Sequence, residues 1–561
     1  MYNFLLELKS MPAPSGFYDG TSLWMVILVS ALNAVILLFV SYKFLQLVQL
    51  SGYKIKGYFA WLKASKCKDW LRLVTLSLLS SAALLITNVL LEQLFVYKIM
   101  TYFGLLFYLL FSIVYIINIY SAPQKTPLKY TKRMSRLCVV FAIVCFGVTF
   151  LVLTLSSKLT SMLEYIKYFD CGAVGLTPLL APILVLVAYY LTLPIELIIS
   201  NMYVSRAKKR IRSMKNLTVV GITGSYGKTS VKSILATMLA EKYRVCATPY
   251  SYNTPMGLSK TILGNLSTSD EIFIAEMGAN AVGDIEYLTK MAPPDVAVIT
   301  GIGNQHLATF GSKENLIATK EELVKNLKVG GRLFVNMESA GAKEIFDRAE
   351  VQKFAVSTNE KFEYYVDDVA VNENGSTFTV VHDGKRTKVQ TSLLGKHNIS
   401  NILLCYAVAS KMGVEDDKLA VAIRKLKAPA HRLAIVPSNN SITVIDDAFN
   451  GSVEGSKAAL DVLASFAGQK IVITPGLVEL GKDEFNCNFE FGKNMAKVAD
   501  YVILNGVTNY EALSAGLEFG GFDKSKILRA GTLSQAVEVM NQVAKSGDVV
   551  LFENDLPDNY T

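Results

Sequence analysis

Five long apolar stretches, Leu23–Tyr42, Leu73–Leu91, Tyr102–Tyr120, Leu137–Leu155 and Val174–Ile199, fill most of the first 200 residues. Each, coiled as a helix, is long enough to cross a hydrocarbon layer of ~30 Å, and a core helix seldom runs so far without charge. Inside lipid such a segment must satisfy its own backbone polar groups, so the first third of the chain is expected to be an α-helical membrane domain of about five spans. The first stretch differs from a cleavable leader, because it follows a 22-residue start and no small-x-small site comes after it. Composition agrees: 51% hydrophobic and 18% charged residues are unusual for a wholly soluble chain of 561 residues.

Charge is segregated. Residues 1–200 carry 16 Lys+Arg against 7 Asp+Glu, residues 201–216 add six basic residues (Arg206, Lys208, Lys209, Arg210, Arg212, Lys215), and the rest has 34 basic against 40 acidic. The positive charge thus belongs to the apolar part and its edge, where membrane lipid head groups are the natural partner. A mildly acidic remainder argues against nucleic acid. Basic residues concentrate between spans one and two (Lys43 to Arg72) and between spans three and four (Lys125 to Arg136). The positive-inside rule makes both segments cytoplasmic, places the N-terminus outside, and puts everything after span five on the cytoplasmic side of the plasma membrane. Within the spans only Glu196 carries charge near an end, so no proton relay or ion path is expected and transport loses weight. Pro178, Pro182 and Pro194 are candidate kinks in the fifth span. Seven scattered cysteines without a Cys-x-x-Cys pair read as reduced thiols and no zinc site.

From Leu217 the pattern changes to short β-rich runs (LTVVGITG, EIFIAEMG, DVAVITGIG, RLFVN, then TVIDDAF, KIVITPG, YVILNG, DVVLFEN) separated by helical stretches. This alternation predicts largely parallel sheets with helices on both faces. A break near Pro429 gives a domain plan of 1–200, a basic linker 201–216, and two α/β domains at 217–428 and 429–561.

The first run ends in Gly221-Ile-Thr-Gly224-Ser225-Tyr226-Gly227-Lys228-Thr229-Ser230 and leads into a helical pattern. A glycine-rich turn between strand and helix lets backbone N–H groups approach phosphate, Lys228 can reach β/γ-phosphates, and the Thr229 hydroxyl can ligate Mg²⁺; a nucleotide triphosphate is the expected ligand. The spacing departs from the general phosphate loop, whose first glycine would fall at Ile222.

An ordered series of motifs follows: Tyr252-Asn253-Thr254-Pro255, Ala275-Glu276-Met277-Gly278, Asn304-Gln305-His306-Leu307, Ala318-Thr319-Lys320-Glu321, Val335-Asn336, Gly395-Lys396-His397-Asn398 with Asn401, His431-Arg432-Leu433, Asp446-Asp447-Ala448 and Glu479-Leu480-Gly481. With the glycine loop, this series resembles the Mur ligase family, most closely its D-alanyl-D-alanine-adding (MurF) type, over residues 217–561. The resemblance implies a central P-loop ATPase domain and a Rossmann-like C-terminal domain. It also implies Mg²⁺ held by Thr229, Glu276, His306 and a carbamylated Lys320. Nucleotide contacts would come from Gly224 to Ser230 and from Asn336, Asn398, Asn401, Arg432 and Asp447. Asn253 and Thr254 would lie on the acceptor side, and Lys228, Lys320, His306, Glu276 and Arg432 would carry catalysis. The reaction so implied joins an amino acid or peptide to a carboxylate of a cell-envelope, possibly lipid-linked, acceptor through an acyl phosphate. Two departures stand out. A membrane domain replaces the family's UDP-binding domain, and the ending Phe552-Glu553-Asn554-Asp555 lacks the basic-plus-serine sequence of that type. A membrane polyamino-acid synthase similar to poly-γ-glutamate synthases is therefore the alternative reading.

Overall fold

A computed structural model describes the chain except residues 1–22, 65–67, 93–96, 122–125, 163–168, 304–309, 437–441, 449–450, 479, 481–482, 507 and 555–561. The chain divides into two compact units, Met1–Ile199 and Ser200–Thr561.

The first unit is helical. Helices cover Leu23–Val40, Lys68–Glu92, Tyr97–Ser121 and Lys132–Met162, and a long helix begins at Ala181. Among the described residues, three are long and apolar enough to cross a membrane (Leu23–Val40, Lys132–Ser156 and Ala173–Ser213), while the apolar parts of two others, Trp70–Ala83 and Leu106–Ser121, are shorter. The fifth apolar stretch is interrupted by a 3₁₀ turn, Thr177–Leu180, that carries Pro178; Pro194 lies inside the helix that follows. A small buried polar cluster sits among the apolar side chains of the unit's core, and further apolar side chains face outward. Asn33 donates to the hydroxyls of Thr149 and Thr177, both at 2.9 Å, and accepts from the Tyr108 hydroxyl at 2.6 Å. Trp24, Leu28, Leu32, Val35 and Phe39 stand exposed on the same first helix. The basic segment after it is not a loop but two short helices, Tyr42–Leu50 and Ile55–Ala64. It is tied to the second basic segment by Gln46 to the Thr126 carbonyl (2.7 Å), by Gln49 to both backbone groups of Lys129 (2.7 and 2.8 Å), and by the Leu128 N–H to the Tyr42 hydroxyl (3.1 Å). Glu196 accepts a two-point bond from Arg136 at 2.5 and 2.9 Å.

The second unit holds two sheets. The first contains β1 (Thr218–Thr223), β2 (Val245–Ala247), β3 (Ile272–Glu276), β4 (Val296–Ile299), β5 (Arg332–Asn336), β6 (Gln352–Ser357), β7 (Tyr364–Asn372), β8 (Gly375–His382) and β9 (Lys385–Thr391), in the order 2-3-1-4-5-6-7-8-9. Strands 1 to 7 pair in parallel, and a hairpin of β8 and β9 closes the edge. The central strands are buried on both faces, which is why they read as continuous apolar runs. Successive side chains serve opposite cores: Val220, Ile222 and Phe334 pack with Leu235 and Tyr406 on one face, and Val219, Phe273 and Leu333 with Leu288 and Leu323 on the other. Basic residues 206–212 are helical, and Val204, Ala207 and Ile211 join the second of these cores. Arg210 caps the helix Pro255–Gly264 by donating to the Leu263 and Leu266 carbonyls. The other sheet contains β10 (Ala434–Val436), β11 (Thr443–Asp447), β12 (Lys470–Thr474), β13 (Tyr501–Asn505), β14 (Ile527–Ala530) and β15 (Val549–Glu553), in the order 10-11-15-12-13-14 with only β10 antiparallel. The described cysteines, 138, 145, 246, 405 and 487, are free thiols.

Candidate active site

Because β1 lies between β3 and β4, the turn leaving β1 is flanked by the carboxyl ends of both, where parallel sheets place their ligand crevices. The Ser225 N–H donates to the Gly301 carbonyl at 2.7 Å, and the Thr300 hydroxyl bonds the Tyr226 carbonyl. A Cβ on Gly224 would sit on the Thr300 hydroxyl, and at Gly227, with φ +78°, it would approach Asn401 Oδ1 to 3.1 Å. The loop therefore needs glycine at both places, to fit its neighbours and to leave room above for phosphate. Gly227 caps the helix Lys228–Leu239, whose first turn presents Lys228, Thr229 and Ser230. Lys228 Nζ folds back onto the Gly224 and Ser225 carbonyls at 2.7 and 3.0 Å. Burial pulls its pKa down to about 8, against the attraction of Glu276 and with the repulsion of Arg432.

Strand β3 ends in Glu276, which is 1% exposed. Its carboxylate accepts from Thr229 Oγ1 at 3.1 and 3.3 Å, Asn253 Nδ2 at 3.1 Å and Lys232 Nζ at 2.8 Å. Glu276, Thr229 and Asn253 are residues that the sequence motifs single out. Lys232 is not among them, although its spacing of four from Lys228 puts it on the same helix face. Losing one partner of such a buried pair typically costs ~3–5 kcal/mol. A hydroxyl beside a carboxylate is a hard-oxygen donor set that suits Mg²⁺. Lys320, on the helix Lys313–Lys325, is 3% exposed, with Nζ 5.9 Å from the Phe310 ring centre. Burial, reinforced by the Lys228 charge, lowers its pKa to about 7. His306 lies outside the described residues. Among those described, no three His, Cys, Asp or Glu gather as a metal site. Thr254 acts as a helix N-cap, accepting from the Gly257 N–H at 3.3 Å.

The three asparagines converge around the start of the helix Lys396–Lys411. Asn336, at the end of β5, donates to Ser400 Oγ at 2.9 Å and accepts from the Glu338 N–H; Asn398 donates to the Leu394 carbonyl at 2.8 Å and accepts from Asn401 at 3.4 Å. Asn401 in turn reaches the glycine loop. Next to them His397 Nδ1 is shielded from solvent without a hydrogen-bond partner among the described residues, and burial lowers the imidazole to about 4, so the ring is neutral.

The second sheet contributes Arg432 and Asp447. Arg432 is bracketed by His431 (φ +60°) and Leu433 (φ +47°), both left-handed; His431 Nδ1 is hydrogen-bonded to Asp446 at 2.7 Å, and the Leu433 N–H donates to Asp447 Oδ1 at 3.1 Å. Burial lowers the guanidinium pKa, while the Glu276 and Asp447 carboxylates hold its charge. One cation from the second domain thus shares the electrostatics of Glu276 and Lys228.

Comparison with known proteins matches residues 222–409 to the Mur ligase middle domain and residues 431–553 to the Mur ligase glutamate ligase domain. The UDP-N-acetylmuramoyl-tripeptide–D-alanyl-D-alanine ligase of Bacillus subtilis is 30% identical over 341 residues, which are 60% of this chain and 72% of that protein. The chain belongs to the Mur ligase family and is of MurF type. As a Mur ligase it is an ATP-dependent amide ligase. Its second unit superposes on Thermotoga maritima MurF in complex with ADP with a TM-score of 0.57 at 26% identity, over 64% of this chain and 80% of that one. The MurF of Acinetobacter baumannii, at 22% identity and a TM-score of 0.58 over 64% of this chain and 77% of that one, shares the fold. Both family matches of this Mur ligase begin after residue 221, so the apolar unit is outside them.

Proposed function

We propose that this Mur ligase is membrane-anchored and joins the amine of an amino acid or dipeptide to a carboxylate of a peptidoglycan precursor by way of an acyl phosphate. The observation that carries this reading is the convergence of Glu276, Thr229 and Lys228 at the glycine loop with Arg432 from the second domain. The acceptor carboxylate attacks the γ-phosphorus of ATP and ADP departs. The amine then attacks the acyl carbon, and phosphate leaves with the bonding pair while the amine loses a proton. Lys228 and Arg432 neutralise charge on the transferring phosphoryl group, and Asn336, Asn398, Asn401 and Asp447 hold the nucleoside. Thr229, Glu276, His306 and Lys320 would hold Mg²⁺, which supplies charge neutralisation to the phosphates. An amine adds CO₂ only when uncharged, and a pKa near 7 leaves Lys320 partly uncharged at neutral pH, which supports a carbamate there. Asn253 and Thr254 stand on the acceptor side.

Five spans with the N-terminus outside and the catalytic unit cytoplasmic fit the many apolar side chains that the first unit exposes. They also fit the hydrogen bonds that draw its two basic segments together. Five helices exceed what an anchor needs, and this supports a membrane-borne, lipid-linked acceptor in place of a soluble UDP-linked one. Mass spectrometry of products from membranes holding the full-length protein, given ATP, D-alanyl-D-alanine and either UDP-linked or lipid-linked muramoyl peptide, tests both parts. A single added unit on the lipid-linked acceptor is the expected product. Ligation confined to the UDP-linked acceptor overturns the lipid assignment, and a ladder of products overturns single addition.

A further inference from the structure

Lys232 has no part in the chemistry above, yet it is 4% exposed and sits one helical turn beyond Lys228. Its ammonium joins two acceptors: Glu276 Oε2 at 2.8 Å and the carbonyl of Tyr250. Tyr250 belongs to the segment between β2 and the helix Pro255–Gly264, in a left-handed conformation with φ +46°, and its side chain is 83% exposed. Its ring lies 6.1 Å from that of Tyr252, also exposed. The next residue, Asn253, reaches Glu276 Oε1 directly, while its carbonyl accepts from the Gly278 N–H at 3.0 Å. The segment is therefore fastened to one buried carboxylate twice, by an amide of its own and by an ammonium that bridges from the helix. A buried ammonium needs several acceptors, and here one of them is a backbone carbonyl in a conformation that residues other than glycine rarely adopt unaided.

We propose that Lys232 is a positioning residue that pins the Tyr250–Asn253 segment to the Glu276 carboxylate and so fixes Tyr250 and Tyr252 as a pair of exposed aromatic faces for the acceptor. The assignment of these faces to the acceptor rests on the ligase reading above; the pin does not. An acceptor held this way presents an apolar or sugar-ring face to the two rings, and its carboxylate enters beside Asn253.

Chymotrypsin, which cleaves after tyrosine, reads the pin without any substrate. In the full-length wild-type protein cleavage after Tyr250 and Tyr252 is slow. In Lys232→Met it is faster by about tenfold or more, the loss of one hydrogen bond from a charged donor, with cleavage elsewhere unchanged. The double variant Lys232→Met with Glu276→Gln removes both charges together and also serves if the single variant does not fold. It is expected to stay fast, because the Tyr250 carbonyl still lacks its ammonium. Wild-type cleavage rates in either variant overturn the pin. In ligation assays Lys232→Met raises the KM for acceptor by about tenfold, matching that cleavage effect, and leaves the KM for the incoming amine unchanged. An equal rise in both overturns the acceptor assignment. Failure of the ligase reading itself would show as ligation surviving Lys228→Ala, which leaves the cleavage result untouched.

Discussion

Asp447 and Glu553 stand side by side on adjacent parallel strands, β11 and β15, with Glu553 fully buried. Burial, then the neighbouring Asp447 charge, raises Glu553 well above the usual carboxylate range. Burial likewise raises Asp447 to about 6, against the Leu433 N–H and the Arg432 charge. Two such carboxyls retain a proton between them where isolated ones would not.

A carboxyl whose pKa is raised by folding favours the folded state in full below its ordinary pKa, and that contribution is lost as pH rises through the folded value. For Asp447 the loss runs from about 4 to about 6, and for Glu553 it continues higher. Glu553→Gln keeps the shape and removes one ionisation. Its melting temperature should exceed that of the wild type at about pH 8 and converge with it towards about pH 4. Parallel melting curves across that range would exclude the shared proton.

Lys228→Ala should lower ligation by on the order of a hundredfold or more, as removal of a charge-stabilising group does, and leave insertion of the first unit unchanged. Purified variant that still ligates at the wild-type rate would falsify the phosphate-loop assignment.

Lys320→Ala should lose most activity. Bicarbonate should fail to restore it, while a short carboxylic acid restores part by standing in for the carbamate. In the wild type at limiting bicarbonate, ligation should rise as pH passes about 7, because burial and the Lys228 charge set the point at which the amine loses its proton. A flat profile together with an active alanine variant makes Lys320 a packing residue.

Reporter tags on intact cells test the topology: a C-terminal tag should be protected and an N-terminal one accessible. Both tags on one side would require an even number of spans.

The sequence pattern alone puts Glu276 at the end of a strand and Lys228 at the start of a helix; the fold adds that they and Asn401 meet around the glycine loop. Lys232 escaped because a lysine on a helix ordinarily faces water, and only the fold supplies the carboxylate that buries it. Lys43 to Arg72 read as a charged connection, yet Tyr42, Phe44, Leu45, Leu47 and Val48 are buried and turn it into helix; the charges masked the apolar side chains between them. Glu196 looked solitary because its partner, Arg136, is 60 residues away. The unusual ending at Glu553 was visible, but its neighbour on β11 follows from strand order, which no local pattern encodes.

The hydrogen bonds of Asn33 carry a consequence for biosynthesis. Its partners are Tyr108, Thr149 and Thr177, the last 144 residues further along the chain. Until the chain has been made through residue 177 the Asn33 amide lacks its Thr177 acceptor, and a buried polar group left orphaned costs ~1–3 kcal/mol. The helix Leu23–Val40 therefore cannot complete this network until the fifth apolar stretch, more than a hundred residues later, has been made.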